Sequence, residues 1–404
     1  MPRAFFLVLG VQFLSTLADN AFLIVAIARV MELSGPGWLI PLLKISFTLF
    51  YVLLAPFVGP LADAFPKGRV MLLANALKVA ALLLLLSGCN PVLAIGLAGF
   101  GSAIYAPAKY GLITELLPAR ALVRANGYFE SATVCAVILG TVLGGLLVSR
   151  FMPQWSMPFA LPGHTPTTLV AGTLVLLAMN TVAMLLSLWV RDSGARYDAH
   201  SIHPKALIQH FVRENGVLWR DALGGLSMSV TTLLWGVGAT LQLIVLRWAH
   251  ESLGLPLAQA AYLQGVTAVG VVVGAVLASR FVGLAPAERL LPVGIAMGLL
   301  VPLLLCISSP WSAALLLMLV GALAGFFVVP MNALLQHRGC TLLTAGRSIA
   351  VQGFNENGGM LLMLACYAGA IALDVPLSLL IGAFATLVTA GMVAIWVAQL
   401  RLPR

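Results

Sequence analysis

Charge is scarce in this chain. Asp and Glu total 13 of 404 residues and Lys and Arg 22, so 9% of the sequence is charged where soluble domains carry roughly 25%. With 61% hydrophobic residues and a mean hydropathy of +1.04, that scarcity excludes a soluble globular domain and leaves an integral membrane protein. The five cysteines, Cys89, Cys135, Cys306, Cys340 and Cys366, are odd in number, fall mostly inside apolar runs and lack ligand spacing. Neither a disulfide framework nor a metal site is expected. There is also no nucleophile beside a base and no phosphate-cradling loop, so neither an enzyme nor a cofactor is expected.

What is present is long apolar sequence. Runs of the length that crosses a hydrocarbon layer of about 30 Å begin near Phe5, Leu39, Val70, Leu93, Val123, Thr167, Ala222, Ala258, Glu288, Trp311, Ala345 and Val375. An all-α membrane protein with twelve transmembrane helices follows. The first run lacks a small-residue cleavage site and is followed by many like it, which reads as a retained helix and not a signal peptide.

The net charge of +9 is not a nucleic-acid signal, because of where it falls. With a cytoplasmic N-terminus, the even-numbered connections hold Lys67, Arg69, Arg120, Arg124, Arg191, Arg196, Lys205, Arg213, Arg220, Arg280, Arg289, Arg338 and Arg347. The tails add Arg3, Arg401 and Arg404, and the odd connections hold essentially Arg150. This positive-inside asymmetry places both termini in the cytoplasm and lets the basic side touch anionic lipid.

Hydropathy collapses between Arg191 and Asp221, a stretch with three of the six histidines, His200, His203 and His210. It reads as a cytoplasmic linker with solvated histidines, giving residues 1–190 as a first six-helix half, 191–221 as linker and 222–404 as a second half. Weak internal similarity supports the halves: Pro330 answers Pro107, and Glu356 answers Glu130. Parallel six-helix repeats that handle substrate near the midplane are the architecture of the major facilitator fold.

Asp19, followed by Asn20, lies in the apolar run from Phe5 to Val30. It is roughly 21 Å in from Phe5 at about 1.5 Å per residue. A carboxylate at that depth costs at least about 2.5 kcal/mol and marks a pathway or a wet cavity. Lys109 lies in the fourth run within APAKYG and either holds a phosphate as a point charge or snorkels to the interface. Asn126 and Glu130 share one helix face, where Glu130 either pairs with Lys109 or touches substrate. Glu356, between Asn355 and Asn357, is too polar for lipid contact. Lys44 and Lys78 fall near the expected helix ends and read as snorkelling.

The loop GPLADAFPKGRV, Gly59 to Val70, resembles the major facilitator signature after the second helix, although Asp63 and Gly68 stand five apart where three is usual. Gly59 and Gly68 permit close helix approach, Asp63 caps or ion-pairs, and Lys67 and Arg69 sit at the headgroups. The loop is a gating element.

The segments QFLSTLADNAFL, APFVGPLADAFPKGRVMLLANALK, APAKYGLITEL, ANGYFESAT, GFFVVPMNALLQ and AVQGFNENGGMLLML resemble the bacterial lysophospholipid transporter (LplT) family, and the similarity runs through nearly the whole chain. A monomer is expected, and the resemblance implies a flippase of the inner membrane. It would carry lysophosphatidylethanolamine and related lysophospholipids from the outer to the inner leaflet, where a cytoplasmic acyltransferase and acyl carrier protein synthetase reacylates them. The family's first-helix acid maps to Asp19 with Asn20, and its fourth-helix basic residue to Lys109. Where some members carry arginine in the seventh helix this chain has Gln242, with Arg247 further on, and a glutamine cannot neutralise phosphate. The competing reading is a proton-coupled exporter of drugs or other small molecules, with Asp19 or Glu130 as proton carrier.

Overall fold

The computed structural model describes all residues except 35–38, 150–151, 153–168, 196, 198–202, 286 and 401–404. Arg150, Arg196, His200, Arg401 and Arg404 therefore lie outside the described residues. Lipid offers backbone groups no hydrogen-bond partners, so the spans must satisfy their own, and they do so as helices.

The helices are α1 (Arg3–Glu32), α2 (Leu39–Leu53), α3 (Ala55–Ala64), α4 (Lys67–Leu86), α5 (Pro91–Leu116), α6 (Ala119–Leu147) and α7 (Val170–Ser187). They continue with α8 (Pro204–Arg220), α9 (Ala222–Leu253), α10 (Leu257–Phe281), α11 (Leu291–Leu300), α12 (Pro310–Leu342), α13 (Ala345–Ala372) and α14 (Leu377–Leu400). Among the described residues ten stretches are long and apolar enough to span, α11 among them once its flanking 3-10 turns extend it over Ala287–Cys306. The pair α2 and α3, bent by 63°, makes an eleventh. Pro56 lacks the N–H that would continue the ladder across the bend. The long helix α13 is not among these stretches, made less apolar by Asn355, Glu356 and Asn357 near its middle.

Contacts divide the chain into two units. The first holds residues 1–117, 135–214 and 343–353, the second 118–134, 215–342 and 354–404. Each unit thus takes in one end of a helix, α13 or α6, whose remainder belongs to the other. The first unit's core joins α1, α2, α4, α5 and α7 through Phe22, Val25, Leu43, Leu82, Ile95 and Leu176. In the second, α10 and α12 cross on glycines: a Cβ on Gly274 would lie 1.9 Å from the Ala322 carbonyl oxygen, and one on Gly325 2.1 Å from that of Val271. Small residues take the place of a hydrophobic driving force there, because lipid is as apolar as leucine.

The polar stretch after α7 is not only loop. It contains α8, with Phe211 and Leu218 buried and Ile208 and Val212 exposed. His210 is exposed on this helix and not in a loop, and His203 is exposed just before it.

Candidate functional site

Three helices of the first unit each present polar side chains at spacings that return to one face: Gln12, Ser15 and Asp19 on α1, Asn75 and Lys78 on α4, and Ser102, Tyr105 and Lys109 on α5. Close approach of α4 and α5 brings them together, since a Cβ on Gly101 would lie 2.7 Å from the Ala74 carbonyl oxygen. The Lys78 ammonium donates to Asp19 Oδ2 at 2.5 Å and to Ser15 Oγ at 2.8 Å. Ser102 Oγ donates to the same Asp19 oxygen at 3.2 Å. Ser15 in turn donates to Asn75 Oδ1 at 3.2 Å, and Asn75 Nδ2 to Ser187 Oγ at 3.1 Å.

Lys109 donates to Gln12 Oε1 at 2.9 Å and stands 4.0 Å from the centre of the Tyr110 ring. The Tyr105 ring has Lys78 Nζ at 5.3 Å and Lys109 Nζ at 5.8 Å from its centroid. One aromatic face system thus joins the two cations. Lys78 is 2% exposed and Lys109 5%, which ends the snorkelling reading for both. For Lys78 that corrects the expectation outright: it is the partner of Asp19. Lys44 is exposed on α2. Asn20 turns its amide onto its own helix, donating to the Thr16 carbonyl at 2.8 Å.

The loop between α3 and α4 forms a second buried cluster. Asp63 accepts from the backbone N–H groups of Gly346 at 2.8 Å and Arg347 at 3.2 Å, and from Thr344 Oγ1. It thereby satisfies donors that the first turn of α13 would otherwise leave open. Lys67 bridges Asp63 at 3.0 Å and Glu115 at 3.2 Å and donates to the Ala62 carbonyl at 2.7 Å. At 3% exposure it is an interior residue, contrary to the headgroup position expected for it. Arg69 is exposed and lines a cavity of about 300 Å³ with Pro66, Gly68, Ser187 and Asp192.

Gly59 and Gly346 face each other. A Cβ on Gly346 would fall 2.6 Å from Asp63 Oδ1 and 2.7 Å from the Gly59 carbonyl oxygen, and one on Gly59 2.9 Å from Arg347 Cα. Gly346→Ala is expected to cost about 1–3 kcal/mol by overpacking. Thermal melting checks this against Gly145→Ala, whose Cβ would meet nothing within 4 Å. Equal melting of the two variants would contradict the close packing. Glu115 also accepts from Tyr197 at 2.9 Å and from Ser193, and Arg347 pairs with Glu214 at 2.5 Å. Sequence reasoning missed Lys78, Tyr105, Glu115 and Glu214; a depth count would have found the first.

In the second unit, Asn126 exchanges two amide bonds with Gln336, at 2.8 and 3.0 Å. Glu130 and Glu356 are half-buried there. Gln242 is exposed and bonded to Gln264 at 3.0 Å, while Arg247 pairs with Glu251 at 2.6 Å. Asp221 caps α9 through the Gly224 N–H at 2.8 Å and takes Arg338 as ion partner. The Arg338 hydrogen bond holds the Asp221 carboxyl below the usual carboxylate range.

The Major Facilitator Superfamily model matches residues 8–339. The chain is 39% identical over 372 residues to "Lysophospholipid transporter LplT" of Serratia proteamaculans (strain 568), covering 92% of this chain and 89% of that protein. It is 39% identical over 377 residues to the protein of the same name from Yersinia enterocolitica (serotype O:8 / biotype 1B), covering 93% and 89%. Among solved structures it is similar to a bacterial homologue of the iron transporter ferroportin in the outward-facing state, with a TM-score of 0.72, 15% identity and 99% of both chains covered. The transporter FucP in the outward conformation gives a TM-score of 0.71 at 16% identity over 98% of both chains. At those identities the likeness is one of fold.

Proposed function

Because the chain belongs to the Major Facilitator Superfamily and, within it, to the lysophospholipid transporter family, we propose that it moves lysophosphatidylethanolamine and related monoacyl phospholipids across a bacterial inner membrane. Movement runs from outer to inner leaflet, toward a cytoplasmic acyltransferase and acyl carrier protein synthetase. Both termini face the cytoplasm, and residues 191–221 link six-helix halves 1–190 and 222–404.

The observation that carries this reading is the half-buried Asp19 set beside the buried Lys78 and Lys109 in an apolar unit. A phosphoethanolamine headgroup offers an anion and a cation, and the set offers partners of both signs. The acyl chain needs no polar partner and stays on the lipid side. Asn20, Asn126, Glu130, Gln242 and Glu356 are assigned to substrate binding, and Gly59, Asp63, Lys67, Gly68 and Arg69 to the gate. Proton-coupled drug export is the weaker reading, because Asp19 is already held by the Lys78 ammonium at 2.5 Å.

Leaflet-resolved uptake of labelled lysophospholipids by proteoliposomes, with and without ion gradients, tests it. Monoacyl phosphoethanolamine and phosphoglycerol lipids should compete with one another, diacyl forms poorly and drug cations not at all. Drug export without lysophospholipid movement would overturn the reading. Gln242→Arg should shift preference toward anionic headgroups, and an unchanged order would remove Gln242 from substrate binding.

A further inference from the structure

The span α7 closes at Ser187, and the chain just beyond it is fixed against α4: a Cβ on Gly68 would lie 2.6 Å from the Val190 carbonyl oxygen. Val190 turns inward at 7% exposure, while its neighbours Trp189, 72% exposed, and Arg191 turn outward. There they meet the opening turn of α1. Pro2, Arg3, Ala4, Leu7, Trp189 and Arg191 line a cavity of about 590 Å³. No acidic side chain lines it, the first turn of α1 carries none, and neither arginine has an ion-pair partner among the described residues.

Position alone accounts for part of this. Tryptophan gathers at the ends of membrane spans as an interfacial anchor, and arginine reaches the headgroups from there by its long stem. Position does not account for two guanidinium groups lining one cavity without an acid, since like charges repel unless an anion lies between them. Arg3 is roughly 24 Å along α1 from Asp19, at about 1.5 Å per residue, so the cavity is separate from the charged set of α1, α4 and α5.

We propose that this cavity seats the headgroup of a resident diacyl phospholipid with one phosphodiester anion and no ammonium, of the phosphatidylglycerol type. The guanidinium forks of Arg3 and Arg191 hold the non-bridging phosphate oxygens, a geometry arginine matches better than lysine. The Trp189 ring covers the glycerol, and the acyl chains pass Leu7 and Leu188, the latter 59% exposed, into the bilayer. A phosphoethanolamine headgroup fits less well, because its ammonium would meet two cations and no acid. Basic pockets at the ends of membrane helices are suited to such anionic lipids. The seated lipid ties the start of α1 to the end of α7 and is not carried, so the seat does not depend on what the protein transports.

The test uses the purified full-length protein, delipidated in nonionic detergent and titrated with phosphatidylglycerol or with phosphatidylethanolamine of the same two acyl chains. Binding is read by native mass spectrometry and by the rise in melting temperature. Wild type should prefer phosphatidylglycerol by about tenfold or more, the value of one hydrogen bond to a charged group. Arg3→Gln/Arg191→Gln should lose that preference and, both side chains being exposed, melt like wild type without lipid. Arg120→Gln, which removes an exposed arginine outside the cavity, should keep it. Arg3→Lys/Arg191→Lys should keep part of it, since the charge persists without the fork. Inorganic phosphate and glycerol 3-phosphate at millimolar concentration should not displace the lipid.

An unchanged preference in the glutamine variant would overturn the seat, and so would an equal loss in Arg120→Gln, which would reduce the preference to net charge. Equal wild-type affinity for the two lipids would overturn it as well. Displacement by inorganic phosphate would make the cavity a small-anion site and remove the lipid from it. If the glutamine variant melts lower without lipid, the lysine variant decides: a preference partly kept supports the seat, and one wholly lost overturns it.

Discussion

Lys67→Met is expected to destabilise the first unit by about 3–5 kcal/mol, the usual cost of removing one member of a buried ion cluster. The substitution keeps the apolar stem and deletes the ammonium that stands between Asp63 and Glu115, whose side chains are 5% and 4% exposed. Two carboxylates would then lie close together in the interior with no cation between them. Asp63 would retain its bonds to the start of α13, which hold it in place, whereas Glu115 would keep only Tyr197 and Ser193. The double variant Lys67→Met/Glu115→Gln should therefore recover most of the lost stability, and thermal melting of the single and double variants measures the recovery. Wild-type melting of Lys67→Met would show that the cluster is hydrated and contributes little. Asp63→Asn makes a companion case: it removes the charge facing the backbone donors of Gly346 and Arg347 and should slow interconversion of the two faces, read as cysteine accessibility, without altering which lipids compete.

Much of the fold was legible because membrane spans are written in hydropathy. The starting points read from the sequence fall close to the observed ones, from Leu39 and Ala222, which coincide with the starts of α2 and α9, to Val123, four residues inside α6. The bend between α2 and α3 was signalled only by Pro56, and α8 not at all, because a short amphipathic helix in a charged stretch looks like solvated loop by mean hydropathy. Asp19 stood out by depth. Lys78 should have stood out likewise: counted from Lys67 it is about 17 Å into α4, near the middle of a hydrocarbon layer of about 30 Å. It was misread because counting began at Val70 and the long stem of lysine made an end position acceptable. Lys67 was misread for a different reason. Its burial depends on residues far along the chain, Glu115 and Tyr197, and no local pattern announces such partners.

The pairing of Asp19 with Lys78 sharpens the second large effect. Asp19→Asn is expected to abolish lysophospholipid movement, since the asparagine amide can neither hold the Lys78 ammonium as a carboxylate does nor attract a substrate ammonium. It also strands Lys78 in an apolar interior, at about 3–5 kcal/mol, so loss of transport in this variant alone would not separate mechanism from misfolding. The double variant Asp19→Asn/Lys78→Met makes the separation. It removes both charges, leaves an amide and an apolar stem of similar volume, and should melt near or above wild type, as replaced buried ion pairs often do. Uptake by proteoliposomes should nevertheless remain absent. A double variant that melts normally and transports at the wild-type rate would assign the pair to packing alone. Normal melting without transport would place both charges on the route of the headgroup, since nothing but the charges themselves distinguishes that protein from the wild type.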